Sequence, residues 1–242
     1  MEKSRKKLSI KIITLFPKFV NDFVESFGIV KRAIKLKLLD IQPVSLRQFG
    51  IGERQVVDDR PHGGGVGMVL RADVLYKAIK SAKSRVLSAK SKVILLTPQG
   101  KKFNQAMAQK LSKLDNLVFV CGRYEGFDER IRQFADEEIS IGDYILMGGE
   151  LPALVISEAV MRLRPGILGK LESTQNESFS QNLLEYPQYT KPEKWKVESG
   201  KLKGKIFSIP KVLLTGHHKN IEEFRKAESV KRTKKRRPDL MK

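Results

Sequence analysis

Short, uninterrupted apolar runs that alternate with helical segments constrain the fold of this chain most strongly. The predicted strands cover residues 9–16, 39–46, 92–98, 116–122 and, with a weaker pattern, 138–146. Helical periodicity is found in residues 18–39, 71–83, 103–114, 127–135 and 150–166. Strands that are apolar at consecutive positions are typical of parallel sheets, because crossover helices cover both faces. We therefore predict an α/β fold built on a parallel sheet.

The periodicity weakens after Pro165 and Gly166, which end the last of these helices. Residues 171–193 are crowded with Ser, Gln and Asn, a composition typical of an inter-domain linker. A helical pattern returns only over residues 219–240. We predict three parts: an N-terminal domain over 1–168, a flexible linker over 169–180, and a small, basic, mainly helical domain over 181–242.

The charge of the chain indicates a polyanionic partner. The formal net charge is +20, and residues 190–242 contribute 17 Lys and Arg against 6 Asp and Glu. Lys and Arg displace condensed counterions from phosphates, so this surplus favours nucleic acid. The alternatives are a solvated basic surface and an anionic membrane. No apolar run is long enough to span a bilayer, and no basic amphipathic helix carries an aromatic face, so we expect no membrane partner.

Cysteine usage and the first residues predict a cytoplasmic protein. The single cysteine, Cys121, excludes an intrachain disulfide and fits a reducing compartment. With only three histidines beside it, a structural zinc site is disfavoured, and we predict no bound metal. Lys11 interrupts the apolar run that follows the basic start, so we interpret this region as a strand and not as a signal peptide.

Glycine-bearing loops follow the predicted strands at the sheet edge where ligands bind in open α/β folds. They read "TPQGKK", "CGRYEGFDER" and "SIGDYILMGGELPA". None matches the P-loop or the dinucleotide-binding pattern, which disfavours a P-loop NTPase and a Rossmann dehydrogenase. The alternative is that these loops are ordinary turns of an α/β domain.

A fourth, glycine-rich loop covers residues 52–68. Its backbone amides are suited to a phosphate or a base. Within it, Asp58 and Asp59 either ligate a metal or, as is more usual, cap a turn or pair with Arg60. We expect substrate contacts in this loop at the residues Asp58, Asp59, Arg60, His62 and Gly65.

Ten segments, in this order, resemble the bacterial tRNA (guanine-N1)-methyltransferases of the SPOUT superfamily. They are "ITLFP", "VDDRPHGGGVGM", "TPQG", "CGRYEGFDERI", "SIGDYILMGGELPA", "RPGILG", "NESF", "LLEYPQYTKPE", "PKVLLTGHH" and "RTKKRRPDL". Together they cover nearly the whole chain, and several are longer than ten residues.

The resemblance implies more than the residue pattern does. It implies a SPOUT-type sheet whose cofactor loops form a deep trefoil knot, a feature that the general rule of unknotted chains would exclude. It also implies S-adenosyl-L-methionine as the methyl donor and a homodimer whose active sites are shared between subunits. The implied product is N1-methylguanosine at tRNA position 37, where a guanosine precedes the target.

The resemblance also implies which residues form the cofactor pocket. Glu125 is a partner for the cationic amino group, with a salt bridge to Arg123 or Arg130 as the alternative, and apolar Ile141 and Leu146 suit the adenine. The full set is Pro98, Gly122, Tyr124, Glu125, Ile141, Gly142, Asp143, Tyr144, Ile145, Leu146 and Gly149.

Methylation at guanine N1 needs a base that removes the N1 proton and a cation near O6, where negative charge develops. The residues alone do not choose between Arg162 and Arg164 as the cation; the resemblance implies Arg162. It also implies Glu177 as the base, with Glu172 and Glu185 as alternatives. Mg²⁺ is compatible with this chemistry, but the sequence does not specify it.

Two positions depart from the family pattern. Glu177 stands where Asp is usual, which lengthens the side chain by one methylene, and a shift of about 1 Å can reduce catalysis by about 10²-fold. Gln188 stands where His is frequent, so an imidazole is absent from that position. Two other functions remain as alternatives: a different SPOUT RNA methyltransferase, and a non-catalytic RNA-binding protein that would not bind S-adenosylmethionine.

Overall fold

Five strands form the central sheet of the N-terminal unit in the computed structural model. In chain order this unit contains β1 (Leu8–Thr14), α1 (Pro17–Ser26), α2 (Gly28–Lys35), β2 (Leu39–Ser45), β3 (Asp58–Asp59), β4 (Val69–Leu70), α3 (Ala72–Ser84), β5 (Ser91–Lys102), α4 (Gln105–Leu111), β6 (Asn116–Cys121), β7 (Glu137–Ser140) and α5 (Glu150–Met161). The order in the sheet is β2-β1-β6-β5-β7, and its neighbours pair in parallel. The predicted parallel α/β fold is confirmed.

The structure describes residues 7–84, 90–168, 177–179 and 181–241. Contacts divide the chain into two compact units, Met1–Leu171 and Glu172–Lys242. Of the linker predicted over 169–180, residues 177–179 are described and the others lie outside the described residues. Among the helices of the described part, none has the length and the apolar character that a membrane crossing requires.

Alternate strand residues face two separate hydrophobic cores. In β6, Leu117, Phe119 and Cys121 face the core formed with α1, α2, α4 and α5, whereas Val118 and Val120 face the core formed with α3. Successive side chains of a strand point to opposite faces of the sheet. Both faces of β6 are therefore buried, which explains why its sequence is apolar at every position from Leu117 to Cys121 rather than at every second one.

The single helix predicted over residues 18–39 is wrong: two helices, α1 and α2, occupy this segment. Phe27 lies between them in an extended conformation, with φ −92° and ψ 107°. Gly28, a poor helix former, follows it and begins α2. The chain leaves α2 at Lys35, and Leu39 already belongs to β2. One extended residue does not disturb the apolar spacing, so the break was invisible to periodicity.

Two further predicted elements are shorter or tighter than expected. The predicted helix over 127–135 is a 3₁₀ helix, Glu129–Phe134, whose N-cap Asp128 accepts a hydrogen bond from the Arg130 amide. The predicted strand over 138–146 ends at Ser140. Bends follow it at residues 141–144, where Gly142 has φ 156° and a Cβ on this glycine would lie 2.4 Å from the Tyr144 ring.

β5 continues past its predicted end and contains a bulge that shapes the site. Its pairing with β7 jumps from Leu96 to Lys101, and both of these residues lie opposite Ile139. The bulged residues are the "TPQG" loop, residues 97–100. A Cβ on Gly100 would lie 2.4 Å from the backbone nitrogen of Ile139, so only glycine fits this approach to β7.

The C-terminal unit combines one long helix with a small antiparallel sheet. The strands β8 (Lys194–Lys196) and β9 (Ile206–Ser208) pair with each other, and α6 spans His218–Arg236. The side chains of Ser229 and Thr233 on α6 hydrogen-bond to the carbonyl and the amide of Leu184, at 2.7 and 2.9 Å. The two-stranded sheet adds β-structure to a unit that we expected to be mainly helical.

Candidate active site

A cleft of about 500 Å³ opens at the carboxyl ends of β5, β6 and β7. Its walls are the bulge of β5, the loop after β6 and the loop over 141–149. Ligands bind at this edge of the sheet in open α/β folds. Ten of the eleven residues that we predicted around the cofactor line this cleft: Pro98, Gly122, Tyr124, Glu125, Ile141, Gly142, Tyr144, Ile145, Leu146 and Gly149.

The eleventh predicted residue, Asp143, is not among the lining residues. Its carboxylate lies 2.5 Å from Nζ of Lys102, and its side chain is 82% exposed. An aspartate that turns outwards to an exposed lysine is a surface ion pair, which contributes little to stability. The neighbouring Tyr144 does face the cleft, where its hydroxyl donates to the carbonyl of Ile141 at 3.3 Å.

The loop over 141–149 returns to the end of β6 through backbone contacts that need glycine. The amide of Gly149 donates to the carbonyl of Gly122 at 3.0 Å, and a Cβ on Gly149 would lie 2.6 Å from Cα of Cys121. Arg123 bridges to Gly148 and donates from Nη1 to the carbonyl of Met147 at 2.6 Å. These contacts hold two walls of the cleft together.

Glu125 occupies a wall of the cleft beside the glycine-rich loop. Its amide donates to the carbonyl of Met68 at 3.0 Å. A Cβ added to Gly67 would lie 2.5 Å from Oε1 of Glu125, so the carboxylate packs directly against this glycine. Neither alternative partner pairs with it in the described part of the chain, because Arg123 contacts Met147 and Arg130 pairs with Asp128.

An arginine network that the sequence did not predict supports the floor of the cleft. Arg132 lines the cleft and donates to Gln99 Oε1 at 2.9 Å and to Glu129 Oε2 at 2.8 Å, and it also pairs with Glu138. It thereby connects the bulge of β5 to β7. Its position on a short polar segment gave no signal beyond that of an exposed helix face.

The glycine-rich loop is fixed next to the same wall. Asp58 and Asp59 form β3, which pairs with β4, and Asp59 accepts from the Arg60 amide at 2.8 Å and from Arg71 at 3.0 Å. The turn-capping alternative therefore describes Asp59. Among the described residues, no group of three or more acidic, His or Cys side chains is suited to a metal.

Backbone hydrogen bonds connect β4 to the loop that carries Glu125. Leu70 donates to Gly126 and accepts from Asp128, each at 3.0 Å. Hydrogen bonds from Arg130 lower the pKa of Asp128, and the charge of His62 contributes in the same direction. His62 and Gly65 are exposed at the tip of the glycine-rich loop.

The two candidate arginines occupy different positions after α5. Arg162 is the C-cap of this helix, and its amide donates to the carbonyl of Glu158 at 3.2 Å. Arg164 donates from Nη1 to the carbonyls of Ser112 and Leu114, at 2.8 and 3.3 Å, just after the end of α4. Burial lowers the pKa of the Arg164 guanidinium, as expected for a cation with a structural position.

Glu177 belongs to the C-terminal unit, where the next two residues are well anchored. Ser178 accepts from the amide of Glu185 at 3.0 Å, and the guanidinium of Arg237 lies 5.8 Å from the centre of the Phe179 ring. Phe179 has φ 74°, a left-handed conformation that is unusual for a bulky residue. Of the alternative carboxylates, Glu185 accepts from Gln188 at 2.5 Å, and Glu172 lies outside the described residues.

An open parallel sheet with a cleft at its strand ends, followed by a strongly basic unit, is the arrangement of an α/β protein suited to a small ligand and a polyanion. The family model described as tRNA (Guanine-1)-methyltransferase TrmD matches residues 8–242. The chain belongs to this family, and the resemblance seen in its motifs is confirmed.

Individual relatives agree with the family model over almost the full length. Proteins named tRNA (guanine-N(1)-)-methyltransferase from Syntrophomonas wolfei and Clostridium beijerinckii are 47% and 44% identical to this chain. A protein of the same name from Listeria innocua is 42% identical. Each match covers 97% of this chain and 90% to 92% of the relative.

Proposed function

We propose that this chain transfers the methyl group of S-adenosyl-L-methionine to N1 of the guanosine at tRNA position 37. One observation carries the proposal: ten residues expected around the methyl donor, from three separate loops, line one cleft at the carboxyl ends of the strands. Family membership gives the reaction class, a tRNA guanine-N1 methylation. The donor, the position and the residue roles are our inference.

The residues around the cleft suit the proposed donor. A cleft of about 500 Å³ is within the range of small-molecule sites. Ile141 and Leu146 offer apolar contacts to an adenine, and backbone groups at the strand ends offer hydrogen bonds to its edge. Glu125 supplies a carboxylate for the cationic amino group. When bound, the donor provides an electrophilic methyl carbon on a sulfonium, whose carbon–sulfur bond breaks as the bond to N1 forms.

Glu177 takes the proton of guanine N1 in this proposal, and Arg162 stabilises the negative charge that develops on O6. Removal of the proton leaves its electron pair on guanine N1. N1 therefore becomes nucleophilic only when the carboxylate of Glu177 is close enough to accept that proton. Arg164 donates to the carbonyls of Ser112 and Leu114, a structural position, and the family resemblance implies Arg162 as the cation. A fixed cation at O6 lowers the barrier without reorganisation during the reaction.

The tRNA is bound by the glycine-rich loop and the basic C-terminal unit in this proposal. Asp58, Asp59, Arg60, His62 and Gly65 lie on a loop that is hydrogen-bonded to the segment carrying Glu125, so a substrate on this loop would lie next to the cleft. Residues 190–242 contain 17 Lys and Arg against 6 Asp and Glu, and this positive charge suits the phosphates of the anticodon arm.

We also propose a homodimer with shared active sites, and a trefoil knot in the cofactor loops. Leu151 and Val155 form an apolar pair at i and i+4 on α5, and they are 53% and 49% exposed. Arg162 follows seven residues later and so continues the same helical face. An interface along this face would bring the proposed cation of one subunit close to its partner. The return of the 141–149 loop to β6 is compatible with a knot.

A methylation assay on tRNA transcripts tests the proposed function. Four transcripts differ only at position 37 and at the nucleotide before it, and the purified protein is incubated with each and with S-adenosylmethionine. We expect N1-methylguanosine, identified by mass spectrometry of the nucleosides, only where a guanosine at 37 follows a guanosine. Another methylated nucleoside would assign a different RNA methyltransferase activity, and no methylation with intact tRNA binding would assign a binding protein.

A further inference from the structure

The two-stranded sheet of the C-terminal unit presents an aromatic pair to solvent. Trp195 on β8 and Phe207 on β9 are direct cross-strand partners, with ring centroids 5.8 Å apart and planes 29° from parallel. They are nevertheless 58% and 39% exposed. All six residues of these two strands are exposed. A cross-strand aromatic pair stabilises a hairpin, but that role alone does not require rings of this size to face water.

The charge around this pair restricts the partner that it suits. Residues 191–211, which we name the aromatic hairpin, contain seven lysines and two glutamates. Lys194 and Lys196 flank Trp195 in sequence, and Nζ of Lys205 lies 5.3 Å from the centre of the Phe207 ring. A partner that matches both features has a flat π-face and a negative charge close to it. An unpaired nucleobase with its own phosphates has this chemistry.

We propose that the aromatic hairpin is a stacking platform for an unpaired base of the tRNA, with its lysines on the adjoining phosphates. This inference rests on the proposed tRNA substrate and adds a contact that the catalytic site does not require. Double-stranded RNA keeps its bases stacked on each other, so the contact selects a loop or another unstacked nucleotide. The aromatic hairpin therefore contributes to tRNA affinity and not to the methyl transfer itself.

The chain contains a single tryptophan, Trp195, so its fluorescence reports directly on this platform. The full-length protein is titrated with the methylatable tRNA transcript while Trp195 emission and its quenching by iodide are measured. We expect the emission to fall and iodide to lose access, with the same midpoint as tRNA binding measured by filter retention. Unchanged emission at saturating tRNA would overturn the inference and leave the aromatic pair as a stabiliser of the hairpin.

Substitutions separate stacking from folding. Trp195→Val keeps β-propensity but removes the π-face, and we expect tRNA binding to weaken roughly 5- to 100-fold, the range for one stacked base. Trp195→Tyr restores a ring and should recover most of the affinity. Ile206→Thr, at an exposed residue opposite Lys196, is the matched control and should change affinity less than about 2-fold. Weakening by Ile206→Thr equal to that by Trp195→Val would contradict stacking.

Two readouts distinguish this inference from the proposed function. With the Trp195→Val variant, the KM for tRNA should rise while kcat at saturating tRNA stays unchanged. If the wild type forms no N1-methylguanosine but tRNA still quenches Trp195, the proposed function fails and the platform stands. If methylation proceeds but tRNA does not quench Trp195, the proposed function stands and the stacking platform fails. A blue shift of Trp195 emission with anionic phosphatidylserine vesicles but not with tRNA would assign the aromatic hairpin to a membrane surface and overturn the proposal.

Discussion

At the scale of single residues, the proposed chemistry depends on a carboxylate whose neighbours are better fixed than a linker composition suggests. Ser178 and Phe179 are held by Glu185 and Arg237 within the C-terminal unit. These contacts define the backbone on which Glu177 is carried. A glutamate reaches one methylene further than an aspartate, so a small displacement of this backbone is sufficient to keep the carboxylate at the position of the reacting proton.

Replacing Glu177 by glutamine should abolish the proton transfer and keep the shape of the side chain. We expect kcat to fall by about 10²- to 10⁴-fold, the usual contribution of a general base. The Kd values for tRNA and S-adenosylmethionine should change less than about 3-fold, because glutamine keeps the size and shape of the glutamate side chain. Single-turnover methylation and equilibrium binding measure the two parts separately.

The control for this substitution is Glu185→Gln, which removes a second carboxylate from the same segment. Glu185 accepts from Gln188, so its replacement should leave turnover close to that of the wild type. Turnover of the Glu177→Gln variant near the wild-type value would contradict the assignment of Glu177 as the general base. Glu177→Asp adds a measure of side-chain length: similar kcat would show that the backbone accommodates both residues.

Substitution by methionine should have a different main effect at each arginine: a loss of kcat at Arg162 and a loss of folding stability at Arg164. Arg162→Met should reduce kcat by about 10²- to 10³-fold, the effect of removing one donor to a developing oxyanion. Arg164→Met removes charged hydrogen bonds to two carbonyls and should lower the free energy of unfolding by about 1–3 kcal/mol. Urea denaturation and kcat at saturating substrates distinguish them; a loss of kcat for Arg164→Met in the folded protein would reverse the assignment.

At the scale of elements, glycines fix the shape of the cleft, because segments of the chain approach each other there too closely for any side chain. Gly100 lets β5 bulge against β7, and Gly149 lets the N-terminus of α5 contact the end of β6. The bulge and the return of the loop then bring Pro98, Gly122 and Leu146 to one cleft. The shape of the cleft is therefore set by backbone packing more than by particular side-chain pairs.

Gly149→Ala should separate α5 from β6. The added Cβ would lie 2.6 Å from Cα of Cys121, and overpacking of this kind costs about 1–3 kcal/mol. We expect a lower free energy of unfolding and weaker binding of S-adenosylmethionine, measured by urea denaturation and calorimetry. Gly28→Ala is the matched control, because its Cβ would meet nothing within 4 Å and the residue begins α2. That variant should be neutral or slightly more stable; equal losses in both variants would contradict the packing argument.

The sequence predicted the layers and the cleft better than it predicted the element boundaries. Apolar runs such as that of β6 identify a strand buried on both faces, and the glycine-bearing loops after the strands identified ten of the lining residues. The bulge at residues 97–100 and the outward turn of Asp143 depend on contacts between distant segments, and the extended Phe27 is a break of one residue that leaves the apolar spacing intact. Periodicity carries no information on such contacts, and the same is true of the Arg132 network.

At the scale of the whole molecule, the chain joins a cleft-bearing α/β unit to a unit in which Lys and Arg far outnumber Asp and Glu. The proposed base, Glu177, belongs to the second unit, and the residues of the proposed cofactor site belong to the first. A reaction that needs both must bring the two units together, either within one chain or between subunits. The exposed apolar pair of Leu151 and Val155 on α5 favours assembly between subunits.

Mixed dimers decide between these two arrangements. Glu125→Ala is expected to weaken binding of the donor, and Glu177→Gln to remove the base, so each homodimer should have little activity at limiting S-adenosylmethionine. Two affinity tags allow the heterodimer of these variants to be purified. If Glu177 of one subunit acts in the cleft of the other, the heterodimer contains one intact site and one doubly substituted site. Its turnover should then be about half that of the wild type, as the two-fold symmetry of such a dimer requires.

The opposite arrangement gives a different result with the same proteins. If each chain supplies Glu177 to its own cleft, both sites of the heterodimer carry one substitution, and turnover should stay at the level of the parent homodimers. A heterodimer of wild-type and Glu177→Gln chains is the control, because it retains one intact site in either arrangement. Recovery in the mixed variant that equals this control would establish that the proposed base crosses between subunits, so that dimerisation completes the active site.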